Sequence, residues 1–387
     1  MRARAWRPSA MVALCFAWLA CASATRKVDV APVPIPDAPA ALIDVTLFLI
    51  GDAGAPAALP DSEPVLLALR TAAASVTHAF VVFLGDNVYP RGMPDSGQSS
   101  RPEAERRLTA QLAVLRQSGA HGIFVPGNHD WDKHAAGGWD AVRRQERFIA
   151  SAGDGVVLLP GGGCPGPAVL DVGQAVRIVA LDTQWWLHDG PKPRDPTSAC
   201  PADSEQEIID SLRVAIATAG GRDVVVVGHH PLLSGGPHGG HFGWKDHLFP
   251  LRALKSWLWL PLPVIGSAYP IAREEGVSNQ DASSAAYGTM LDAFSKAFSN
   301  RPPLIYAAGH EHALQVFAGA SARYALVSGA GIFGHVSRVR SLDGTRFARS
   351  ASGFMRVDVL RDGRARLGVM VVNRDGIALE AYSLWLN

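Results

Sequence analysis

The sequence is short of net charge and of cysteine. Its 36 Lys and Arg residues stand against 35 Asp and Glu, which leaves +1 over 387 residues. No basic patch stands out, so the electrostatic footprint of a nucleic-acid scaffold is missing. Four cysteines occur in the whole chain, and none form the tight pairs that a structural zinc site needs. Aromatic residues make up an ordinary 8%. What is present is apolar side chain, at 48% of residues, enough for a large buried core. Length alone permits two or three domains.

The N-terminus has the pattern of an export signal. Arg2, Arg4 and Arg7 form a positive start, and Met11–Ala20 is an apolar stretch too short to span a bilayer. Ala22-Ser23-Ala24 offers an A-x-A cleavage site, so residues 1–24 are expected to be removed. Cys21, just after the apolar run, keeps a lipoprotein signal open as the alternative. Pro-rich residues 25–42 then read as an extended tether. The protein is expected to be exported, to the periplasm or outside the cell, free or lipid-anchored. Cys164 and Cys200 remain in the processed chain, in Pro/Gly-rich loops on either side of the apparent strand "AVRIVALDT". An oxidising compartment predicts a disulfide between them, contributing on the order of 3–4 kcal/mol by loop closure.

From residue 44 onward, apolar runs alternate with polar loops and amphipathic stretches. Helices are expected around Glu63–Ala74, Glu103–Gln117, Trp139–Ala150 and Asp203–Ala219, and again at Asp292–Phe298. Strands alternating with helices argue an α/β fold. Arg323–Val327, Gly353–Leu360 and Ala365–Val372 read as short strands in antiparallel pairs. One domain over residues 43–387 fits better than two, because the polar loops fall along the whole chain and must converge.

An apolar insert lies around residues 245–285. Its "SWLWLPLPVIGSAYP" holds two tryptophans and three prolines, and the prolines exclude a continuous helix. Packing against the core is one reading. The other is a lid, or a surface that touches a membrane or partner. The following "SNQDASSAAYG" is polar and expected to be exposed.

Five loops carry the chemistry: "GDAG" (Gly51–Gly54), "GDNVYPRG" (Gly85–Gly92), "GNHD" (Gly127–Asp130), "GHHP" (Gly228–Pro231) and "GHEH" (Gly309–His312). Each follows an apolar run, and loops at the carboxyl ends of strands build sites in α/β sheets. Any one block alone is an ordinary cap or turn. Five together, each with Gly before Asp, Asn or His, are not explained as caps.

This set resembles the metal-binding motifs of calcineurin-like metallophosphoesterases, and more narrowly those of the small, mammalian-type purple acid phosphatases. The resemblance covers roughly residues 44–330. It implies a four-layer α/β/β/α sandwich with two mixed sheets flanked by helices. It also implies two metal ions, one held by Asp52, Tyr89 and His312 and the other by Asn128, His229 and His310, with Asp86 bridging. Gly54 stands where the broad family usually has a ligand histidine, and Tyr89 can fill that vacancy as a tyrosinate. That donor suits Fe(III), with Fe(II), Zn(II) or Mn(II) as partner. Alternation along an extended strand would point His310 and His312 to the same face. His230 is expected to pack behind the ligands. His129 and His238 are the candidate proton donors.

The implied activity is hydrolysis of small phosphate monoesters by a metal-bound hydroxide. A phosphodiesterase acting on nucleotides or lipid head groups, with the same metals, is the alternative. A surface-anchored binding protein without catalysis is the reading from another class. Membrane association through Cys21 or the insert is a further expectation.

Overall fold

Period-two alternation builds the first strand. In β1 (Ile43–Ile50), Val45, Leu47 and Leu49 face one buried cluster, while Phe48 and Ile50 face another. A strand with both faces apolar is buried on both sides, and that dictates layers above and below. The computed structural model describes residues 35–59, 62–194, 198–253 and 257–387. The expected signal peptide, Cys21 and the start of the tether lie outside the described residues. The end of the expected tether does not hang free: the carbonyls of Ile35 and Pro36 accept hydrogen bonds from Arg366.

After β1 come α1 (Pro64–Ala74), β2 (Ala79–Phe83), α2 (Arg101–Ser118), β3 (His121–Phe124), α3 (Gly138–Ala150) and β4 (Val156–Leu158). Next are β5 (Ala168–Val172), β6 (Val176–Ala180), the short α4 (Gln184–Leu187), α5 (Glu205–Ala217) and β7 (Asp223–Val227). The insert holds α6 (Trp244–Leu248) and α7 (Ala268–Glu274), followed by α8 (Ala285–Phe298). The chain ends with β8 (Ile305–Ala308), β9 (Leu314–Ala318), β10 (Tyr324–Ser328), β11 (Thr345–Arg349), β12 (Gly353–Leu360), β13 (Ala365–Val372) and β14 (Ala378–Trp385). Local signals set the helix ends. Glu63 caps α1 ahead of Pro64, and Ser204 with Glu207 forms a capping box on α5.

The strands form two seven-stranded mixed sheets, in the orders β14-β13-β12-β1-β2-β3-β4 and β11-β9-β10-β8-β7-β6-β5. Within them β1, β2 and β3 run parallel, as do β6, β7 and β8. One apolar cluster fills the space between the sheets. A second lies under α1, α2 and α3, and a third under α5 and α8. This is the expected helix–sheet–sheet–helix sandwich. Cys164 and Cys200 are bonded, with Cα atoms 5.6 Å apart.

Three expectations need correction. The stretch after the insert is not exposed: Gln280 and Asp281 are buried, and α8 starts at Ala285, seven residues before Asp292. Its polar residues have inward partners, which composition does not reveal. The insert itself is not core packing, because Trp257, Trp259, Leu260, Val264 and Ile265 are exposed. Finally, β10 pairs in parallel with β8 as well as antiparallel with β9, so the C-terminal strands are not all antiparallel.

Candidate metal centre

All five motif loops leave the carboxyl ends of parallel strands: β1, β2, β3, β7 and β8. Backbone bonds tie the loops together. The Asp52 amide donates to the Gly85 carbonyl (2.9 Å), Gly54 to Asp86 (3.0 Å), and Tyr89 back to Gly54 (3.1 Å). A Cβ on Gly54 would lie 2.4 Å from the Asp86 carbonyl oxygen, so this backbone has no room for a histidine there. Gly85 has φ +91°, and a Cβ on it would lie 2.5 Å from the His229 ring. Only glycine combines that conformation with that contact.

The side chains close into two triangles. In the first, Asp52 Oδ1 lies 3.0 Å from Tyr89 Oη and 3.3 Å from His312 Nε2. The Tyr89 and His312 atoms are 3.3 Å apart. In the second, Asn128 Oδ1 lies 3.0 Å from His229 Nε2 and 3.2 Å from His310 Nδ1, with the two ring nitrogens 3.3 Å apart. Asp86 lies beside both: its Oδ1 is 3.5 Å from His229 Nε2, and its ligand atoms come within 4.8 Å of those of Asp52. Donors bonded at about 2.1 Å and at right angles around one ion are ~3 Å apart, so each triangle can seat a cation.

The second triangle makes the strongest case. His229 Nδ1 donates to the Leu84 carbonyl and His310 Nε2 to the Gln280 carbonyl, each at 2.8 Å. The other nitrogen of each ring then faces its neighbour and the Asn128 amide oxygen, and presents a lone pair there whenever the ring carries a single proton. Three acceptors face one point with no proton among them, and a cation satisfies them. Carbonyl partners on the outer nitrogens are the usual way of orienting metal-binding imidazoles. Burial drives His310 well below its ordinary value and His312 down to about 4, which keeps both lone pairs free.

Charge points the same way. Burial first, and then the neighbouring Asp86, push Asp52 up to about 8, although His229 opposes the shift. Burial works against ionising Asp86, but the positive charge that His229 and His129 bring when protonated lowers it to about 2, a pull that a metal ion would supply once those rings are neutral. Burial and both carboxylates push the Tyr89 phenol far up. Without added positive charge, the pocket resists ionising all three, and a bound cation reverses that balance. Solvent reaches the centre past Tyr89, His129 and His312, which are half-buried, while Asp52, Asp86, His229 and His310 are buried.

The expected site residues thus come together, with one change of geometry. His310 and His312 lie in the loop between β8 and β9, not on an extended strand. His310 sits at φ +67°, and the two rings diverge into different triangles. His230 lies within reach of His229 and His310, but both its nitrogens are engaged. Nδ1 meets Thr183 Oγ1 and Nε2 meets Gln280 Oε1, each at 2.8 Å.

Other residues were not singled out from the sequence. Asp130, last in "GNHD", accepts from the amides of Gly127, Asn87 and Val88 and from the Asn87 side chain. Glu311, inside "GHEH", accepts from Ser234 Oγ (2.9 Å) and the His238 amide (3.0 Å). Arg273 and Asp281 flank His238: Nδ1 is 3.0 Å from Arg273 and 3.1 Å from Asp281 Oδ1. The His238 ring packs 4.0 Å from that of His310. His335 packs 4.2 Å from His312. Asp130 and Glu311 sat inside quoted motifs. For the others the sequence carried no local signal.

The sequence matches the calcineurin-like phosphoesterase family over residues 46–258, and the chain belongs to that family. It is thereby a metallophosphoesterase, a hydrolase class, with buried His and Asp groups suited to metal. No curated protein matches it. Among solved structures it is similar to GAP50, the anchor in the inner membrane complex of Plasmodium. The TM-score is 0.54 and the identity 15%, with 89% of each chain covered. It is also similar to the purple acid phosphatase PPD1 from yellow lupin (Lupinus luteus) seeds, with TM-score 0.50 and 13% identity over 88% of this chain. It spans about half of that enzyme, 53% of its length. At these identities the likeness is one of fold.

Proposed function

We propose that this protein is an exported phosphomonoesterase with a dinuclear metal centre of the purple acid phosphatase kind. Asp52, Tyr89 and His312 hold one ion and Asn128, His229 and His310 the other, with Asp86 bridging. The observation that carries this reading is the inward-facing acceptor trio of Asn128, His229 and His310, with a second triangle beside it. The glycine at position 54 and the tyrosine at 89 support Fe(III) in the first position, with Fe(II), Zn(II) or Mn(II) in the second. When bound, the ions supply Lewis acidity at phosphate oxygens and make a coordinated water acidic.

The protein's own groups then divide the remaining work. As an imidazolium, His238 donates through Nδ1 to the Asp281 carboxylate 3.1 Å away, which Arg273 holds in place, and the second ring proton, on Nε2, is the one free to leave. His238 is therefore the proton donor to the departing alcohol. His129 is tethered through Nδ1 to the Pro90 carbonyl (2.8 Å), and burial lowers it to about 4. Its Nε2 is then an acceptor at the rim, able to take a proton from a water or a protonated phosphate. Replacing Asp281 by alanine should lower kcat about 10-fold or more with little change in KM. Steady-state kinetics at saturating p-nitrophenyl phosphate checks this.

A phosphodiester substrate with a lipid head group is favoured by one observation, the exposed apolar insert that continues into Arg273 and Asp281. Hydrolysis of p-nitrophenyl phosphate against its bis ester separates the two. The monoester reading expects the first to be faster and is abandoned if only the second is cleaved. Tyr89→Phe should also abolish a visible charge-transfer band. A colourless, active parent protein would remove iron and the purple subgroup from the proposal.

A further inference from the structure

The insert presents a large exposed apolar surface on a protein whose other apolar segments are mostly packed. Trp244 is 64% exposed, Trp257 71%, Ile265 76% and Val264 88%, and Trp259 and Leu260 are more than half exposed. Contiguous patches of this kind mark interaction surfaces. Charge says what kind. Between Trp244 and Ile271 the sequence carries Lys245, Arg252 and Lys255 against one acid, Asp246, with Glu274 and Glu275 following beyond Arg273, which is paired with Asp281. The carboxylate of Asp246 is taken up by the Gly243 amide at 2.7 Å. The cations sit on the aromatic rings: Arg252 lies 3.9 Å from the Trp259 ring centre, and Lys245 5.6 Å from that of Trp244. Exposed tryptophans and aliphatics rimmed by Lys and Arg match the boundary between head groups and acyl chains. Among the described residues no helix is long and apolar enough to cross a membrane.

We infer that the face made by residues 244–253 and 257–271 docks on an anionic lipid surface. It does so by burying Trp257, Trp259, Val264 and Ile265 among head groups while Lys245 and Arg252 meet lipid phosphates. The same segment reaches the metal centre. Arg273 packs against the rings of Phe242 and Tyr269 on this side and contacts His238 on the other. Docking therefore sets the catalytic mouth beside the membrane, whichever phosphoester the centre cleaves.

The test uses the processed form, residues 25–387, which lacks Cys21 and so carries no acyl chain, and its Trp257→Glu/Ile265→Glu variant. Each is sedimented with phosphatidylcholine vesicles, with and without about a quarter phosphatidylglycerol. The expected result is parent binding at least ~10-fold tighter to the anionic vesicles than to neutral ones. The double variant should lose that binding and keep its hydrolysis of p-nitrophenyl phosphate. A parent that stays in the supernatant overturns the inference, as does a variant that sediments equally. A vesicle-independent dimer that the variant dissociates also overturns it and makes the face a self-association surface.

Discussion

Asp86→Asn should lower kcat/KM by at least about 10³-fold, equivalent to ~4 kcal/mol of transition-state stabilisation. Asp86 lies between the triangles, within 4.8 Å of Asp52 in the first and of His229 in the second. Asparagine keeps its shape and its neighbours, including the 2.8 Å bond from the His129 amide to Oδ1, but removes the charge. Asp52 would be left as the main carboxylate facing the cations, beside the Tyr89 oxygen. Metal content should fall below two ions per chain while the far-ultraviolet circular dichroism is unchanged. Full activity in the asparagine variant would mean that the two positions are not bridged here. Lost activity with two ions retained would shift the role of Asp86 from holding metal to positioning His129.

Asp130→Ala should cost the most stability. Its buried carboxylate receives the amides of Gly127 (2.8 Å), Asn87 (3.0 Å) and Val88 (3.0 Å) and the side-chain amide of Asn87 (3.1 Å). Alanine leaves these donors buried and unpaired, each at a cost of roughly 1–3 kcal/mol. Neighbouring losses do not simply add, so a total of about 3–5 kcal/mol is expected. It would appear as a lower denaturation midpoint at unchanged slope. Asn87 and Gly127 flank Asp86 and Asn128, so the metal-binding loops should loosen together and metal affinity should fall. Asp130→Asn, which keeps an acceptor, should lose less than half as much. A loss under about 1 kcal/mol for alanine would show that the loops are held by their strands alone.

Much of this site was legible because its signals are local. Each ligand candidate follows an apolar run within a few residues, as Asp52 follows Ile43–Ile50 and Asn128 follows His121–Phe124. A strand end can thus be read without knowing the fold. The missing histidine at Gly54 and the tyrosine at 89 were legible for the same reason. What escaped depends on pairing across long separations. Nothing near Thr46 announces that its hydroxyl bonds Asp358, or that β12 slots beside β1 in the middle of a sheet. The polar run before α8 looked solvated until Gln280 was found bonding His230 and, through its carbonyl, His310. Strand alternation placed His310 and His312 on one face, yet the left-handed backbone of His310 in the loop is what sends it to the second triangle. The exposure of the Trp/Pro-rich insert was undecidable from composition, because apolar residues pack or protrude according to what the rest of the chain leaves uncovered.

The most direct test is an anomalous-scattering crystal structure of the protein purified with its own metals. Two peaks are expected. One should lie about 2 Å from the donor atoms of Asp52, Tyr89 and His312, the other at the same distance from those of Asn128, His229 and His310, with Asp86 touching both. A single peak, or peaks away from these atoms in fully loaded protein, would contradict the account.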